Sequence, residues 1–211
     1  MLKFITMAML HSILGKTAAA APQDYILNPG KGLLYIMVFK DESTAAAALS
    51  HNHAIKAVGW SGLVAWDPEQ ASACSISMTV PVNNLQVDME EVRVLAGLER
   101  DITVSQREEV KRNMLSDSQL WFQKYPEIKF VSSACESKGD KIILKGKFTL
   151  RGQTNDISLP IKVTTENGIK IEGNFRFKGS DYGLEPYSAM FGQLRNMDEM
   201  EVRLNLIGSA K

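Results

Sequence analysis

The sequence predicts a single all-β domain, an antiparallel barrel of about eight strands with short inserted helices. Apolar and polar residues alternate with a period of two in one run after another, which is typical of half-buried strands. Turn residues separate these runs. The dipeptide Asn167-Gly168 lies between two of them and is a strong hairpin signal, because both positions of such a turn need positive φ. Closing the sheet into a barrel would leave no exposed strand edge.

Composition agrees with one folded domain and narrows the classes of function. The chain has 211 residues, of which 45% are hydrophobic and 23% charged, so it can build a substantial core. Basic and acidic residues balance to a net charge of +0. That balance argues against a nucleic-acid-binding protein that works by neutralising phosphates.

The N-terminal segment has the pattern of a secretory signal peptide. Lys3 precedes an apolar run over residues 4–15, and a small-residue cleavage site ends at Ala20. We therefore expect residues 1–20 to be removed and residues 21–211 to form the barrel domain in the periplasm. The alternative is an amphipathic N-terminal helix of a cytosolic protein.

The first half of the barrel domain begins with a strand over residues 34–39 that is apolar on both faces. An Ala-rich stretch at 41–49 has helix propensity. Residues 53–66 read as one long strand or as two, bent near Gly62, and residues 74–82 read as a half-buried strand.

Two helices interrupt the strands. Residues 89–96 have the spacing of a short helix. Residues 105–108 resemble a capping box that opens a second helix, whose apolar stripe continues to Trp121, and Pro126 bounds it. The C-terminal third then reads as a meander with a long loop at 181–196. Its predicted strands lie at 128–135, 142–150, 157–163, around Phe175 and Phe177, and at 202–206.

An eight-stranded barrel can be filled by its own side chains or can hold one slender ligand. The inward residues are apolar, so the natural guest would be a long hydrocarbon, whose burial is favourable by about 0.8 kcal/mol per CH₂. The sequence leaves the hollow and the filled barrel open. The candidates for the pocket wall are Ile36, Val38, Val58, Trp60, Phe130, Leu144, Phe148, Leu150, Phe175 and Phe177.

Several blocks resemble the YceI-like proteins. The run Tyr125-Pro126-Glu127-Ile128-Lys129-Phe130-Val131-Ser132, after a helix end with Trp121-Phe122, is similar to a marker of that family. Residues 146–154 are similar to its Gly-x-Leu-Thr-x-x-Gly-x-Thr hairpin, and residues 62–68 and 181–183 resemble two weaker motifs. The resemblance implies a lipocalin-like barrel, usually exported, that holds a polyisoprenoid or another long amphipathic lipid. It implies no catalytic residues and no cofactor apart from the bound lipid.

The candidates for contact with a lipid headgroup are His51, His53, Asp181 and Tyr182. Where the family often has a single His, this chain has His51 and His53, and Gly179 stands where the family's loop usually has Arg. On a strand the two His side chains would point the same way and could face one metal ion, although a firm zinc site needs three or four ligands. Hydrogen bonds from this pair to the backbone are a further alternative.

Cys74 opens one predicted strand and Cys135 closes another. If these strands pair antiparallel, the two thiols lie opposite each other and can form a disulfide, which an exported location permits. Two buried free thiols are the alternative.

Residues 138–178 hold nine basic and four acidic side chains. Several of the basic side chains alternate with inward apolar residues and so point outward. Such a face could contact an anionic membrane surface transiently, or could simply be a solvated face of the sheet. The outward basic residues are Lys145, Lys147, Lys162, Arg176 and Lys178.

Three functions are compatible with these observations. The first is an exported, non-enzymatic protein that encloses a long-chain lipid for storage or transport. The second is a metal-binding protein or metal-dependent enzyme that uses His51 and His53. The third is a ligand-free structural or stress-response barrel. No hydrolase elbow, phosphate loop or His-Glu-x-x-His motif is present in the sequence. The sequence does not decide the oligomeric state, and a homodimer is one option.

Overall fold

The computed structural model describes residues 21–98 and 102–211 and forms an all-β fold with two short α-helices. The expected signal peptide, residues 1–20, lies outside the described residues. The strands are β1 Gln23–Leu27, β2 Leu33–Lys40, β3 His53–Lys56, β4 Ser61–Trp66, β5 Ser75–Pro81, β6 Gln86–Val87, β7 Glu127–Lys138, β8 Lys141–Leu150, β9 Gln153–Thr164, β10 Ile169–Lys178, β11 Ser188–Ala189 and β12 Leu194–Ala210. The helices are α1 Glu90–Leu95 and α2 Val104–Leu115.

Eight strands form a closed antiparallel ring, as the sequence predicts. Around the ring the order is β1, β4, β5, β7, β8, β9, β10 and β12. The last strand returns to the first, with Tyr25 opposite Ala210. Strand β12 is long enough to pair with β1 near its end and with β2 further up, where Val202 lies opposite Ile36. The strands β2, β3 and β6 thus continue the wall beyond β1, β4 and β5.

Three neighbouring positions of the wall are therefore each occupied by one long strand that is broken once. The two parts are β1 and β2 in the first, β3 and β4 in the second, and β5 and β6 in the third. The breaks lie at residues 28–32, 57–60 and 82–85. Gly59 has φ of +68°, a conformation that favours glycine, and it sets the break between β3 and β4. The sequence places this bend near Gly62, but Gly62 lies inside β4 and is fully paired.

Strand β2 is apolar on both faces because both faces are covered. Ile36 faces the interior of the barrel. Tyr35 and Met37 face outward and pack with Val92 of α1, which lies against the outside of the wall. Apolar residues occur on both faces of β2 because one face lies against the barrel interior and the other against a helix on the outer surface.

The second helix begins and ends earlier than the sequence predicts. Its N-cap is Thr103, whose side-chain oxygen accepts from the Gln106 backbone N–H while the Gln106 side chain accepts from the Thr103 backbone N–H. This reciprocal pair is the capping box, two residues before the predicted one. The helix ends at Leu115, since Ser116 is extended and Trp121 has φ of 47°. The Ala-rich stretch at 41–49 forms only one 3₁₀ turn.

Cys74 and Cys135 form a disulfide in the structure, with their Cα atoms 6.0 Å apart. Cys135 lies in the half of β7 that is remote from α2, where β7 pairs with β8. The bond ties the 3₁₀ turn Ala71–Ala73, which precedes Cys74, to the barrel wall.

We expect reduction of this disulfide to lower the free energy of unfolding by about 4 kcal/mol in the chain-entropy model, because it closes a long loop. The two cysteines are 61 residues apart in sequence. Urea unfolding of the oxidised protein and of the Cys74→Ala, Cys135→Ala double variant measures the difference. Non-reducing mass mapping that finds both thiols free in the purified protein would contradict the prediction.

Candidate ligand-binding cavity

The barrel encloses a cavity of about 530 Å³. This volume falls within the roughly 300–1,000 Å³ that is usual for ligand sites. Of the two interiors that the sequence leaves open, the structure therefore has the hollow one. The cavity extends from the barrel core to one end of the barrel, which we call the mouth. The mouth is covered by α2, residues 41–52 and residues 184–194.

Eight of the ten candidate wall residues line this cavity. They belong to β2, β7, β8 and β10: Ile36, Val38, Phe130, Leu144, Phe148, Leu150, Phe175 and Phe177. The other two differ. Val58 and Trp60 fall in the break between β3 and β4 instead of on a continuous strand. Trp60 is fully buried and packs where a side chain on Gly32 would lie, so it fills the core beside the break.

The cavity also has a lining that sequence periodicity alone does not assign. Helix α2 contributes Val110 and Met114 from the apolar stripe that the sequence shows, and residues 184–194, which we call the mouth segment, add Leu184 and Leu194. The apolar spacing along α2 therefore indicates which side of this helix faces the cavity. The position of the mouth segment depends on tertiary contacts, such as the hydrogen bond from Asn113 Nδ2 to the Tyr187 hydroxyl at 3.4 Å.

His51 and His53 both line the cavity at its mouth. Their ring centroids are 5.5 Å apart and the rings meet edge to face. Nδ1 of His53 lies 2.6 Å from Oδ2 of Asp88. Because Nδ1 is held by a carboxylate, the His53 ring has a fixed orientation and Nε2 is left for other partners.

Asp88 is the centre of a buried polar cluster behind His53. Its side chain is fully buried and accepts hydrogen bonds from the Ala54 backbone N–H at 2.9 Å and from Arg93 at 3.0 Å. Burial by itself would raise the pKa of Asp88, but the hydrogen bonds from His53, Ala54 and Arg93 outweigh it and lower the pKa below its ordinary value. The cluster fixes the wall at the mouth. No pattern in the sequence predicts it, because Asp88 and His53 are 35 residues apart.

The two His side chains do not belong to a larger set of metal ligands in the part of the chain that the structure describes. Within residues 21–98 and 102–211, no group of three or more His, Cys, Asp or Glu side chains converges on one point. Asp88 is already engaged with His53 and Arg93.

The other two headgroup candidates lie elsewhere. Tyr182 is buried and packs edge to face against Phe148 and Phe177, at centroid distances of 5.3 and 5.6 Å. Burial raises the pKa of Tyr182. Asp181 is exposed, and its backbone carbonyl accepts from Asn155 Nδ2 at 2.8 Å. Both line a separate pocket between β9 and β10.

The rim of the mouth carries exposed apolar side chains. Leu49, Met190 and Phe191 are all more than half exposed, and Phe191 is fully so. Met190 and Phe191 both have positive φ, which is uncommon for bulky residues. The segment thus presents large apolar groups to solvent at the end where the cavity lies.

The outward basic face is largely balanced by carboxylates. Lys145 pairs with Glu136, and Lys147 pairs with Asp156. Arg176 pairs with Glu199 and with Glu201 on β12, and these contacts raise its pKa. Local neutralisation weakens the electrostatic argument for membrane contact through this face.

The fold and cavity define a class of protein, an eight-stranded antiparallel barrel with an apolar interior and a polar pair at its mouth. The family model of the YceI-like domain matches residues 38–207, so the chain belongs to the YceI-like family. The resemblance seen in the sequence is thereby confirmed.

Solved structures share the fold at low sequence identity. BcnA of Burkholderia cenocepacia is 17% identical with a TM-score of 0.64, over 86% of this chain and 98% of that one. A polyisoprenoid binding domain from Saccharophagus degradans, implicated in plant cell wall breakdown, is 12% identical with a TM-score of 0.57, over 89% and 98%. The Campylobacter jejuni YceI protein is 16% identical with a TM-score of 0.51, over 74% and 84%. No curated protein matches the chain.

Neither helix among the described residues has the length and apolar character that crossing a membrane requires.

We expect Asp88→Asn to lower the free energy of unfolding by about 3–5 kcal/mol, because the buried Arg93 loses its carboxylate partner. The lowered pKa of Asp88 fixes the pH dependence. Ionised Asp88 stabilises the folded protein at any pH above 3.8, the ordinary pKa of an Asp side chain. This stabilisation is lost as the pH falls below that value. Urea unfolding at pH 7 and in acid tests both statements.

The control for this prediction is Glu91→Gln. Glu91 pairs with Lys56 at 2.9 Å on the exposed surface, so its loss should cost less than about 1 kcal/mol. Equal effects of the two variants at pH 7 would show that the buried cluster does not have the stabilising role assigned to it.

Proposed function

We propose that the protein binds one long-chain amphipathic lipid, of the polyisoprenoid class, in the barrel cavity and performs no chemistry on it. The observation that carries this proposal is the cavity of about 530 Å³ with an apolar lining from six of the eight strands of the ring. The polyisoprenoid binding domain among the structural neighbours supports the same class of ligand.

The distribution of polarity in the cavity suits an amphipathic molecule. The walls present Leu, Ile, Val and Phe side chains, against which each buried CH₂ group gains about 0.8 kcal/mol. Polar groups occur at the mouth, where His51 and His53 line the cavity. The tail would therefore lie among the apolar strands, and the headgroup would hydrogen-bond with His51 or with Nε2 of His53.

The proposal includes export to the periplasm and a role in storage or transport there. The N-terminal pattern of a basic start, an apolar run and a small-residue site supports export. The disulfide between Cys74 and Cys135 agrees with an oxidising compartment.

Native mass spectrometry of the purified protein, followed by organic extraction and elemental analysis, tests the function. A co-purified lipid at about one per chain is the expected result. Stoichiometric metal that is lost on His53→Ala would instead favour metal binding. A protein that carries no lipid and no metal, even after incubation with a C55 polyprenol, would contradict the proposal.

A substitution that fills the cavity should abolish lipid uptake without unfolding the barrel. Ile36 points into the cavity from β2, so Ile36→Trp should reduce uptake of a C55 polyprenol at least tenfold by occupying its volume. The control is Leu63→Trp, because Leu63 is exposed on the outer face of β4. Equal uptake by both variants would place the lipid outside the barrel.

We further propose that the protein meets membranes through the apolar rim of the mouth, and not through the outward basic face. Phe191 is fully exposed, and its burial in the lipid boundary would be favourable. Phe191→Ser should weaken co-sedimentation with phosphatidylcholine vesicles several-fold, with little dependence on salt. Binding that needs anionic lipid and disappears at high salt would contradict this proposal and would show that the basic face makes the contact.

A further inference from the structure

The wall of the barrel has a seam between β9 and β10. These strands pair only where Lys170–Gly173 lie opposite Ile161–Thr164. Toward the mouth, β9 stays paired with β8 and β10 stays paired with β12, but no register joins β9 to β10. The seam therefore separates residues 153–160 from residues 174–178.

Local chemistry accounts for the point at which the pairing stops. Pro160 is the next residue along β9, and proline has no backbone N–H to donate to a neighbouring strand. Just below it, Gly173 allows close approach, because a Cβ there would lie 2.8 Å from the Pro160 carbonyl oxygen. The two strands are thus tightly joined up to Gly173 and apart beyond it.

A pocket of about 390 Å³ occupies this seam. Its lining includes the inward residues Ile157, Phe175 and Phe177, which also line the main cavity. The rest of its lining, which includes the outward residues of both strands, is polar or charged: Asn155, Asp156, Ser158, Arg176, Asp181 and Tyr182. Because residues from both faces of the two strands line this pocket, it lies within the wall. The side chains of Ile157, Phe175 and Phe177 separate it from the main cavity.

A short plug covers the end of the seam near the mouth. The 3₁₀ turn Gly179–Tyr182 follows β10 directly and places the buried Tyr182 against Phe148 and Phe177. Polar contacts also hold the turn: Asn155 Nδ2 donates to the Asp181 carbonyl at 2.8 Å, and Arg151 donates to the carbonyl of Gly183, the C-cap of the turn. Ser180 is held by Asp198, at 2.8 Å from its backbone N–H.

The mouth is more firmly covered than the seam. Helix α2 lines the mouth, and the segment after it is tied to the loop beyond β10. Gln119 Nε2 donates to the Glu185 carbonyl at 3.0 Å, and Arg151 donates to the carbonyls of both Asp117 and Gly183. Opening the mouth would require moving α2 together with this loop, whereas opening the seam would require displacing one 3₁₀ turn and its buried Tyr182.

We propose that the seam between β9 and β10 is a side portal through which a hydrocarbon chain passes into and out of the cavity, with the turn Gly179–Tyr182 as its plug. This inference rests on the proposed lipid-binding function and adds the route of access to it. The chemistry fits a hydrocarbon tail, because the inner side of the seam is lined by Ile157, Phe175 and Phe177.

Cross-linking across the seam tests the portal. Continuing the register of the paired part would place Asp156 opposite Lys178, so Asp156→Cys with Lys178→Cys can be joined by a short bis-maleimide. The matched control is Lys162→Cys with Glu172→Cys, an in-register pair on the same two strands below the seam. The chain's own two cysteines are engaged in the disulfide and do not compete.

The readout is the rate at which a fluorescent C18 fatty acid enters and leaves the protein. We expect the cross-link at 156 and 178 to slow both rates at least tenfold and the cross-link at 162 and 172 to leave them within twofold. Unchanged rates in both cross-linked proteins, or equal slowing in both, would overturn the portal. An unmodified protein that takes up no probe would instead count against lipid binding itself.

A second pair of variants tests the route without cross-linking. Asn155→Ala removes one of the contacts that hold the plug, and Asn113→Ala removes the 3.4 Å contact with Tyr187 at the mouth. Release through the seam predicts a several-fold faster rate for Asn155→Ala and no change for Asn113→Ala. The opposite pattern would assign release to the mouth and overturn the proposal.

Discussion

The closure of the sheet on itself is the constraint on which the rest of the structure depends. Pairing of β1 with β12 joins the two ends of the ring, so the backbone groups along both strands find partners. A ring of eight strands fixes a diameter that side chains alone can nearly fill. Whether a hollow remains then depends on the volume of the inward residues. Here Leu, Ile and Val at most inward positions leave an apolar space.

The same closure explains where the chain is irregular. Three adjacent strands break once each, and their second halves need support from outside because the wall there is apolar on both faces. Helix α1 supplies that support, and Asp88 holds the base of α1 to β3 through His53, Ala54 and Arg93. A buried charge with three partners can hold two elements in one arrangement, since any shift leaves a charged group without its hydrogen bonds. The orientation of His53 at the mouth follows from this support.

Function in such a barrel depends on access as much as on the cavity. The interior presents apolar side chains, which suit a guest held by hydrophobic burial and not by directed polar contacts. A ligand held in this way needs a route that does not unfold the wall. The mouth is covered by α2 and the loop beyond β10, and the wall is unpaired above Pro160. The places where backbone pairing is incomplete are therefore those where movement costs least.

The sequence by itself determined the strand periodicity, the Asn167-Gly168 turn, the ring architecture and most of the inward apolar residues, because these follow from local alternation and turn chemistry. It could not place Trp60, because this side chain packs against Gly32 of the neighbouring break, a contact that alternation along one strand does not show. It missed the partner of His53, because Asp88 is 35 residues away and meets it only through the pairing of β3 with β6. It named Tyr182 as a candidate for headgroup contact, whereas the turn after β10 buries this side chain against Phe148 and Phe177. Tertiary structure decided these points because each depends on contacts between segments distant in sequence, which a local pattern does not encode.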